Sequence, residues 1–293
     1  MSSTFLVGRS RSCHLRLEDS IVSSQHASIA WQHAQWVVRD LASRNGTFVD
    51  GERLEPGVPR TLKKNARISF GDARWTYELS DDTEPSTMAF PVDGGAPVVM
   101  RDGVLALPTP EQPEVNIYNM PDGRWVLERA DDLIDIEDQQ GFIAGGQGWR
   151  FCAPEISGPE TDVSQFVPSL VSDAELHFAV SRDEEHVELK VKHRGRMIDL
   201  GSRAHHYLLL TLGRYRMEDR TDAQAAPSEE GWIYQDELQK MLRIPAGRLN
   251  LDVYRVRQQF GSAGFANPAN IIERRPRTKQ LRIGSATIEV ETI

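Results

Sequence analysis

Over the first eighty residues apolar and polar positions alternate in short runs, with turn residues between them. His26-Ala27-Ser28-Ile29-Ala30-Trp31, Gln35-Trp36-Val37-Val38-Arg39, Ala66-Arg67-Ile68-Ser69-Phe70 and Arg74-Trp75-Thr76-Tyr77-Glu78-Leu79 follow this pattern, whose period of two is that of half-buried strands. Asp50-Gly51 directly after Phe48-Val49 is a two-residue hairpin signal. Residues 1–81 therefore read as an all-β sandwich domain. Residues 82–97, rich in Asp, Pro, Gly, Ser and Thr, read as a linker. A small β-rich middle region follows over 98–155, with Val115-Asn116-Ile117-Tyr118, the turn Pro121-Asp122-Gly123, Arg124-Trp125-Val126-Leu127 and Gly148-Trp149-Arg150-Phe151. Trp125-Val126-Leu127 echoes Trp36-Val37-Val38, so a degenerate repeat of the first domain is one reading of it. Residues 156–174 are again linker-like.

From Glu175 the pattern changes. Leu176–Val180, Val187–Val191 and Met197–Leu200 alternate as strands, after which His205, Leu208, Leu209 and Leu212 recur at helical spacing. Leu238, Met241 and Leu242 mark a second helix, and Leu249, Val253, Val256 and Phe260 fall on one narrow arc of a third. Ile271-Ile272 and Leu281-Arg282-Ile283 flank a basic tip, as in a hairpin. Residues 175–293 thus form an α+β unit, and the fold class is multidomain.

Composition narrows the function classes. No apolar run approaches the roughly 18 residues of a membrane span, and Phe5-Leu6-Val7 is too short for a signal peptide. Two cysteines, Cys13 and Cys152, fall short of a disulfide framework. A cytoplasmic protein with no membrane contact is expected. The net charge is −9, unevenly spread: residues 175–293 carry 19 basic and 17 acidic residues, and within 243–282 the count is nine against two. Such asymmetry suggests that the C-terminal part touches nucleic acid.

Three motifs at turns of the first domain carry chemistry: Gly8-Arg9, Val22-Ser23-Ser24-Gln25-His26-Ala27, and Asp40-Leu41-Ala42-Ser43-Arg44-Asn45-Gly46-Thr47. They combine guanidinium groups, hydroxyls and an amide, the donor mixture that a phosphate ester needs. In this order they resemble the forkhead-associated (FHA) domain, a reader of phosphothreonine peptides, over roughly residues 4–80. The resemblance implies that Arg9 and Ser23 bind the phosphate. It further implies that Asn45 holds the peptide backbone, that Ser24 and Arg44 line the pocket, and that His26 and Gly46 shape the loops. The family often has Arg where this chain has Ser24, and Arg44 can supply that charge. It also has an extra strand before Gly-Arg, a place that a hairpin from residues 98–107 could fill.

Residues 175–293 resemble the winged-helix output domain of response regulators, which implies binding to double-stranded DNA. The third helix would then be the recognition helix, presenting Tyr254, Arg255 and Gln258 outward with Asn250 and Arg257 at its flank, a set suited to base edges. The hairpin would offer Arg274, Arg275, Arg277, Lys279 and Arg282 to phosphates or the minor groove. Leu251 also falls on the outward face, which suits a protein contact at least as well. No nucleotide-loop, zincin or nucleophile-elbow motif occurs, so neither an enzyme nor a cofactor is expected. Two functions remain open: a transcriptional regulator downstream of a Ser/Thr protein kinase, and a phosphothreonine-reading adaptor whose C-terminal domain docks a protein. Homo-oligomerisation is open in both.

Overall fold

A computed structural model of the chain describes residues 4–120, 122–129, 132–153, 169–221, 228–275, 278–285 and 287–293. One compact unit runs to Ser86; the second comprises 87–153 together with 169–293.

Among the described residues the first unit contains nine strands: β1 (Thr4–Gly8), β2 (Leu15–Arg16), β3 (Ala27–Gln32), β4 (Gln35–Asp40), β5 (Thr47–Val49), β6 (Glu52–Arg53), β7 (Arg60–Leu62), β8 (Arg67–Phe70) and β9 (Asp72–Glu78). They form two sheets, ordered β2-β1-β3-β4-β7 and β6-β5-β8-β9. Alternation turns Val7, Ala27, Val38 and Leu62 of the first sheet toward Val49, Ile68 and Phe70 of the second, and all are buried. Burial of each larger side chain contributes about 1.5–3 kcal/mol. Asp50 and Gly51 both adopt positive φ, 52° and 84°, and close the β5–β6 hairpin as its primed turn requires.

The second unit begins inside the expected linker, because Met88–Pro91 is a strand, β10. With β11 (Val98–Val99), β12 (Leu105–Thr109), β13 (Gln112–Asn119), β14 (Trp125–Arg129), β15 (Asp132–Asp135), β16 (Gly141–Ala144) and β17 (Gln147–Cys152), it makes two four-stranded sheets. Their orders are β11-β10-β17-β16 and β12-β13-β14-β15. Leu105, Leu107, Val115, Ile117 and Leu127 of one sheet pack on Ala89, Trp149 and Phe151 of the other. This order differs from that of the first unit, so the Trp-anchored echo in the sequence does not correspond to a repeated topology. The segment expected to complete the first sandwich is used here instead: Val98 and Val99 pair with β10, and Leu105–Thr109 pairs with β13.

The remainder carries strands β18 (Glu175–Val180), β19 (Val187–His193), β20 (Arg196–Ser202) and β24 (Thr287–Thr292) in one sheet. Helices α1 (His206–Thr221), α2 (Gln235–Leu242) and α3 (Ala246–Ser262) follow in the chain, with β21 (Ile233–Tyr234) before α2 and the hairpin β22 (Ile272–Arg275) and β23 (Gln280–Ile283) after α3. Leu208, Leu209 and Leu212 of α1, Leu238 of α2, and Leu249, Val253, Val256 and Phe260 of α3 share one core with Leu176, Phe178, Leu189 and Val191. The described end of the second expected linker is also packed: Val171 is fully buried, and its amide donates to the Asn267 Oδ1 at 2.9 Å.

The middle sheets and the helical part are one body. Helix α3 lies on β13, and at Gly261 a Cβ would stand 2.1 Å from the Asp102 carbonyl oxygen. Only glycine admits an approach this close.

Candidate functional site

Three loops at one end of the first unit bring the phosphate-type donors together. Gly8 ends β1 against the second loop; a Cβ there would sit 2.4 Å from the Ser24 carbonyl oxygen. The amides of Arg9 and Ser10 donate to the carbonyls of Ser23 and Ser24 at 2.9 and 3.0 Å. The Arg44 amide donates to Ser23 Oγ at 3.0 Å, and Asn45 Nδ2 donates to the Ile21 carbonyl at 2.7 Å. Arg9, Ser23, Arg44 and Asn45 are therefore held in one hydrogen-bonded frame. Arg9, Ser24 and Arg44 are exposed, and Ser23 and Asn45 half-buried. Ser23 Oγ accepts from Arg44, so its hydroxyl proton can still be given to a ligand.

Buried His26 joins the second and third loops from beneath. Its Nδ1 accepts from the Ser23 amide at 3.1 Å, and its Nε2 lies 3.1 Å from the Gly46 carbonyl. An accepting Nδ1 requires the proton to be on Nε2, so the ring is neutral and donates to Gly46. Gly46 sits at φ +90°, where a side chain is strained.

Asp40, 1% exposed, organises the third loop. Its carboxylate accepts from the Ser43 amide at 2.9 Å, from Ser43 Oγ at 2.6 Å and from Thr47 Oγ1 at 2.6 Å. Burial pushes its pKa up, but the bonds from Ser43 and Thr47 outweigh this and hold it below the usual carboxylate value. A depressed pKa means that the stabilisation is present above the ordinary carboxylate pKa of about 3.9 and is lost as pH falls below it. Asp40→Ala leaves the Ser43 and Thr47 donors unpaired and is expected to cost about 1–3 kcal/mol. Faster hydrogen exchange at the Ser43 and Gly46 amides at neutral pH reads this effect; unchanged exchange would show that the loop does not depend on Asp40.

One cation escaped the sequence reading. The Arg53 guanidinium lies against Gly46, its Nε 2.5 Å from where a Cβ would be. The signal was the short β5–β6 hairpin, which pairs Phe48 with Arg53 and returns that side chain to the loop end.

The residues expected to read DNA are placed differently. Tyr254 and Arg257 do not face solvent; they are 3% and 1% exposed. Tyr254 and the half-buried Leu251 pack on Val104 and Ala106. The Arg257 guanidinium forms a bidentate pair with Glu128 of β14 at 3.0 and 2.9 Å, donates to the carbonyls of Ala269 and Ile272, and lies 4.9 Å from the Tyr118 ring centre. Arg274 joins the cluster through an ion pair with Glu128 at 3.0 Å and a bond to Asn250 Oδ1 at 3.1 Å. The part of the expected groove-entering face that carries Tyr254 and Arg257 is thus covered by the middle sheet, and Arg257 of α3 and Arg274 of β22 are bound to one buried carboxylate. Arg275 and Arg282 flank the Trp232 ring at 4.3 and 4.5 Å and pair with Glu229 and Glu273. Arg255 and Lys279 are exposed and Gln258 is half-buried; Arg277 lies outside the described residues. Helix α3 and the hairpin share Arg274 and Asn250, but the expected set does not converge on one open surface.

Residues 5–71 match the FHA domain family model, so the sandwich with its three-loop end is an FHA domain. The human nuclear inhibitor of protein phosphatase 1 is 27% identical over 141 residues, 46% of this chain and 39% of that protein. The FHA domain-containing protein FhaB of Mycobacterium tuberculosis is 36% identical over 63 residues, 22% of this chain and 41% of that one. The matched region thus spans well under half of either relative. Among solved structures, the FHA domain of the CT664 protein from Chlamydia trachomatis is 30% identical, covering 24% of this chain and 69% of that one with a TM-score of 0.22. Among the described residues no helix is long and apolar enough to cross a membrane, and no cluster of His, Cys, Asp or Glu could hold a metal ion.

Proposed function

We propose that this protein is a phosphothreonine-reading signalling adaptor. The observation that carries the reading is the hydrogen-bonded frame that holds Arg9, Ser23, Arg44 and Asn45 together at one end of the FHA sandwich. In this reading the Arg9 guanidinium and the Ser23 hydroxyl bind the phosphate. Arg44, with Arg53 lying against Gly46, balances the dianion, and Asn45 holds the peptide backbone. The partner is a protein phosphorylated on threonine by a Ser/Thr protein kinase.

The second unit then serves as a rigid platform. Its C-terminal part has the element order of a winged helix, three helices followed by a hairpin, but its third helix is committed to the middle sheet. That commitment favours the adaptor over the regulator that docks this helix in DNA. The decisive experiment is a titration of the full chain with a degenerate phosphothreonine peptide pool and with the same pool unphosphorylated. Binding of the phosphorylated pool alone supports the reading, and equal binding or none removes it.

A further inference from the structure

The second sheet of the FHA sandwich ends in an open strand. β9 is its last strand, and among the described residues nothing pairs with its outer side. The neighbouring ladders fix where its backbone groups point. The Asp50 amide donates to the Arg67 carbonyl at 2.8 Å, and the Gly71 amide donates to the Gly46 carbonyl at 2.9 Å. Arg67, Ser69 and Gly71 therefore turn their main-chain groups toward β5, and Ile68 turns its own toward β9. Ile68 opposes Tyr77, so Tyr77 bonds inward to β8. By the alternation of an antiparallel ladder, the amides and carbonyls of Thr76 and Glu78 point outward. Upstream the edge is closed. Ala73, Arg74 and Trp75 bulge at the Ser69–Phe70 step, and the Arg74 amide donates to Asp72 Oδ1 at 2.8 Å. The open stretch is thus Thr76–Glu78, which has no proline, lysine or bulge of the kind that blunts an edge.

Tyr77 shows the same gap from the core side. Its place opposite the buried Ile68 turns it to the interior, and its ring lies 6.0 Å from that of Phe70. It is still 36% exposed, because among the described residues no further strand covers it.

We infer that this edge is a self-association surface, filled by β9 of a second copy of this chain in a two-fold antiparallel pair. The strand is its own complement when Tyr77 sits on the axis. Thr76 of each copy then opposes Glu78 of the other, and both pairs exchange backbone hydrogen bonds. The two Tyr77 residues meet as a non-hydrogen-bonded pair, the closer kind, and each ring covers the other. On the outer face Glu78 lies opposite Arg67 of its own β8. Each carboxylate therefore arrives with a counter-charge, and the seam gains no net charge. A strand of another protein would have to supply this aromatic centre and these polar flanks, which β9 already carries. Gly71, just before β9, lies against Asn45, so β9 starts at the loop end of the sandwich. An antiparallel pair turns the two loop ends away from each other. On the reading proposed above such a pair holds two phosphorylated partners at once; the association itself does not depend on that reading.

Sedimentation velocity of the full chain, from micromolar to submillimolar concentration, should show a monomer–dimer equilibrium. Hydrogen exchange at the Thr76 and Glu78 amides should slow as the dimer forms, while the Tyr77 amide stays protected throughout. Glu78→Pro removes an outward N–H that β8 does not use and should leave a monomer. Tyr77→Glu and Tyr77→Lys should each be monomeric too, since each places like charges on the axis. An equimolar mixture of the two should associate again, which a loss caused by unfolding would not allow. A monomer at every concentration overturns the inference, as does a dimer that survives Glu78→Pro. Folded Tyr77 variants whose mixture stays monomeric overturn it as well. So does protection of the Thr76 and Glu78 amides that is independent of concentration, since the edge would then be covered within one chain.

Discussion

Glu128→Gln is expected to destabilise the second unit by about 3–5 kcal/mol, because it leaves two buried guanidinium groups without their counter-charge. The Glu128 carboxylate is 2% exposed. It holds Arg257 through two bonds and Arg274 through an ion pair, and accepts from the Tyr118 hydroxyl at 2.8 Å. Burial alone would push its pKa up, but Arg257 and Arg274 override this and hold it at about 2. The same two cations set the sign of the pH dependence. The folded pKa is depressed, so the contribution is fully present above the unfolded value near 4.3 and is lost as pH falls toward 2. By linkage that interval corresponds to roughly 3 kcal/mol, in line with the cost expected for the substitution. Against a typical net stability of about 5–15 kcal/mol the loss is large. Urea unfolding followed by tryptophan fluorescence reads it as a lowered midpoint, and the acid branch of the stability curve should flatten in the variant. A triple replacement, Glu128→Leu with Arg257→Met and Arg274→Met, should recover much of the loss, since apolar side chains of similar size can replace a buried ionic cluster at little cost. A midpoint shift worth less than about 1 kcal/mol for Glu128→Gln would mean that β14 is not locked to α3 through this pair.

The front and back of the chain differ in how much of them was legible, and the difference is physical. In the first unit the information is local. Period-two runs place Val38 and Phe70 inside, Asp50-Gly51 names its own turn, and the candidate side chains sit on tight turns whose residues dictate their conformation. Arg9, Ser23, Arg44 and Asn45 could therefore be picked out and are brought together. Arg53 was missed although its signal was local: the Asp50-Gly51 turn pairs Phe48 with Arg53 and so returns that side chain to Gly46. In the second unit the helices were legible from spacing, but the burial of α3 was not. Periodicity shows which face of a helix is apolar; it cannot show that the polar face will be covered as well. Arg257 lies on the flank of the apolar arc, and nothing in its neighbourhood announces Glu128 of β14, 129 residues away. The one warning was Leu251 on the nominally outward face, and it packs with Tyr254 on Val104 and Ala106. The charge count overstates the exposed basic surface for a related reason: Arg257 and Arg274 raise the local total but share the single buried carboxylate of Glu128, while Arg275 and Arg282 are paired on the hairpin side. A basic segment exposes a basic surface only if its charges are not already spent inside the fold.

Arg9→Ala should weaken binding of a phosphothreonine peptide by about 10- to 150-fold, the equivalent of losing a charge-assisted hydrogen bond worth about 1.5–3 kcal/mol. The residue is exposed, and among the described residues its side chain makes a long contact from Nε to the Val22 carbonyl at 3.4 Å, so the variant should fold as the parent does. Arg9→Lys keeps the charge but loses the planar fork and should fall between the two. Ser23→Ala removes a neutral donor and should cost less in binding, about 1 kcal/mol or fivefold. It also strips the Arg44 amide of its partner at 3.0 Å, so part of its effect is a loosened third loop, visible as faster exchange at that amide. The ligand's own chemistry adds a pH signature. The second phosphate pKa is about 6, so affinity should decline as pH falls through that value, and the decline should be shallower in Arg9→Ala, which has less charge with which to sense the lost proton. Isothermal titration at pH 5 and pH 7.5 with parent and variant separates these effects. An unchanged dissociation constant in Arg9→Ala would show that Arg9, the residue directly after β1, does not hold the phosphate.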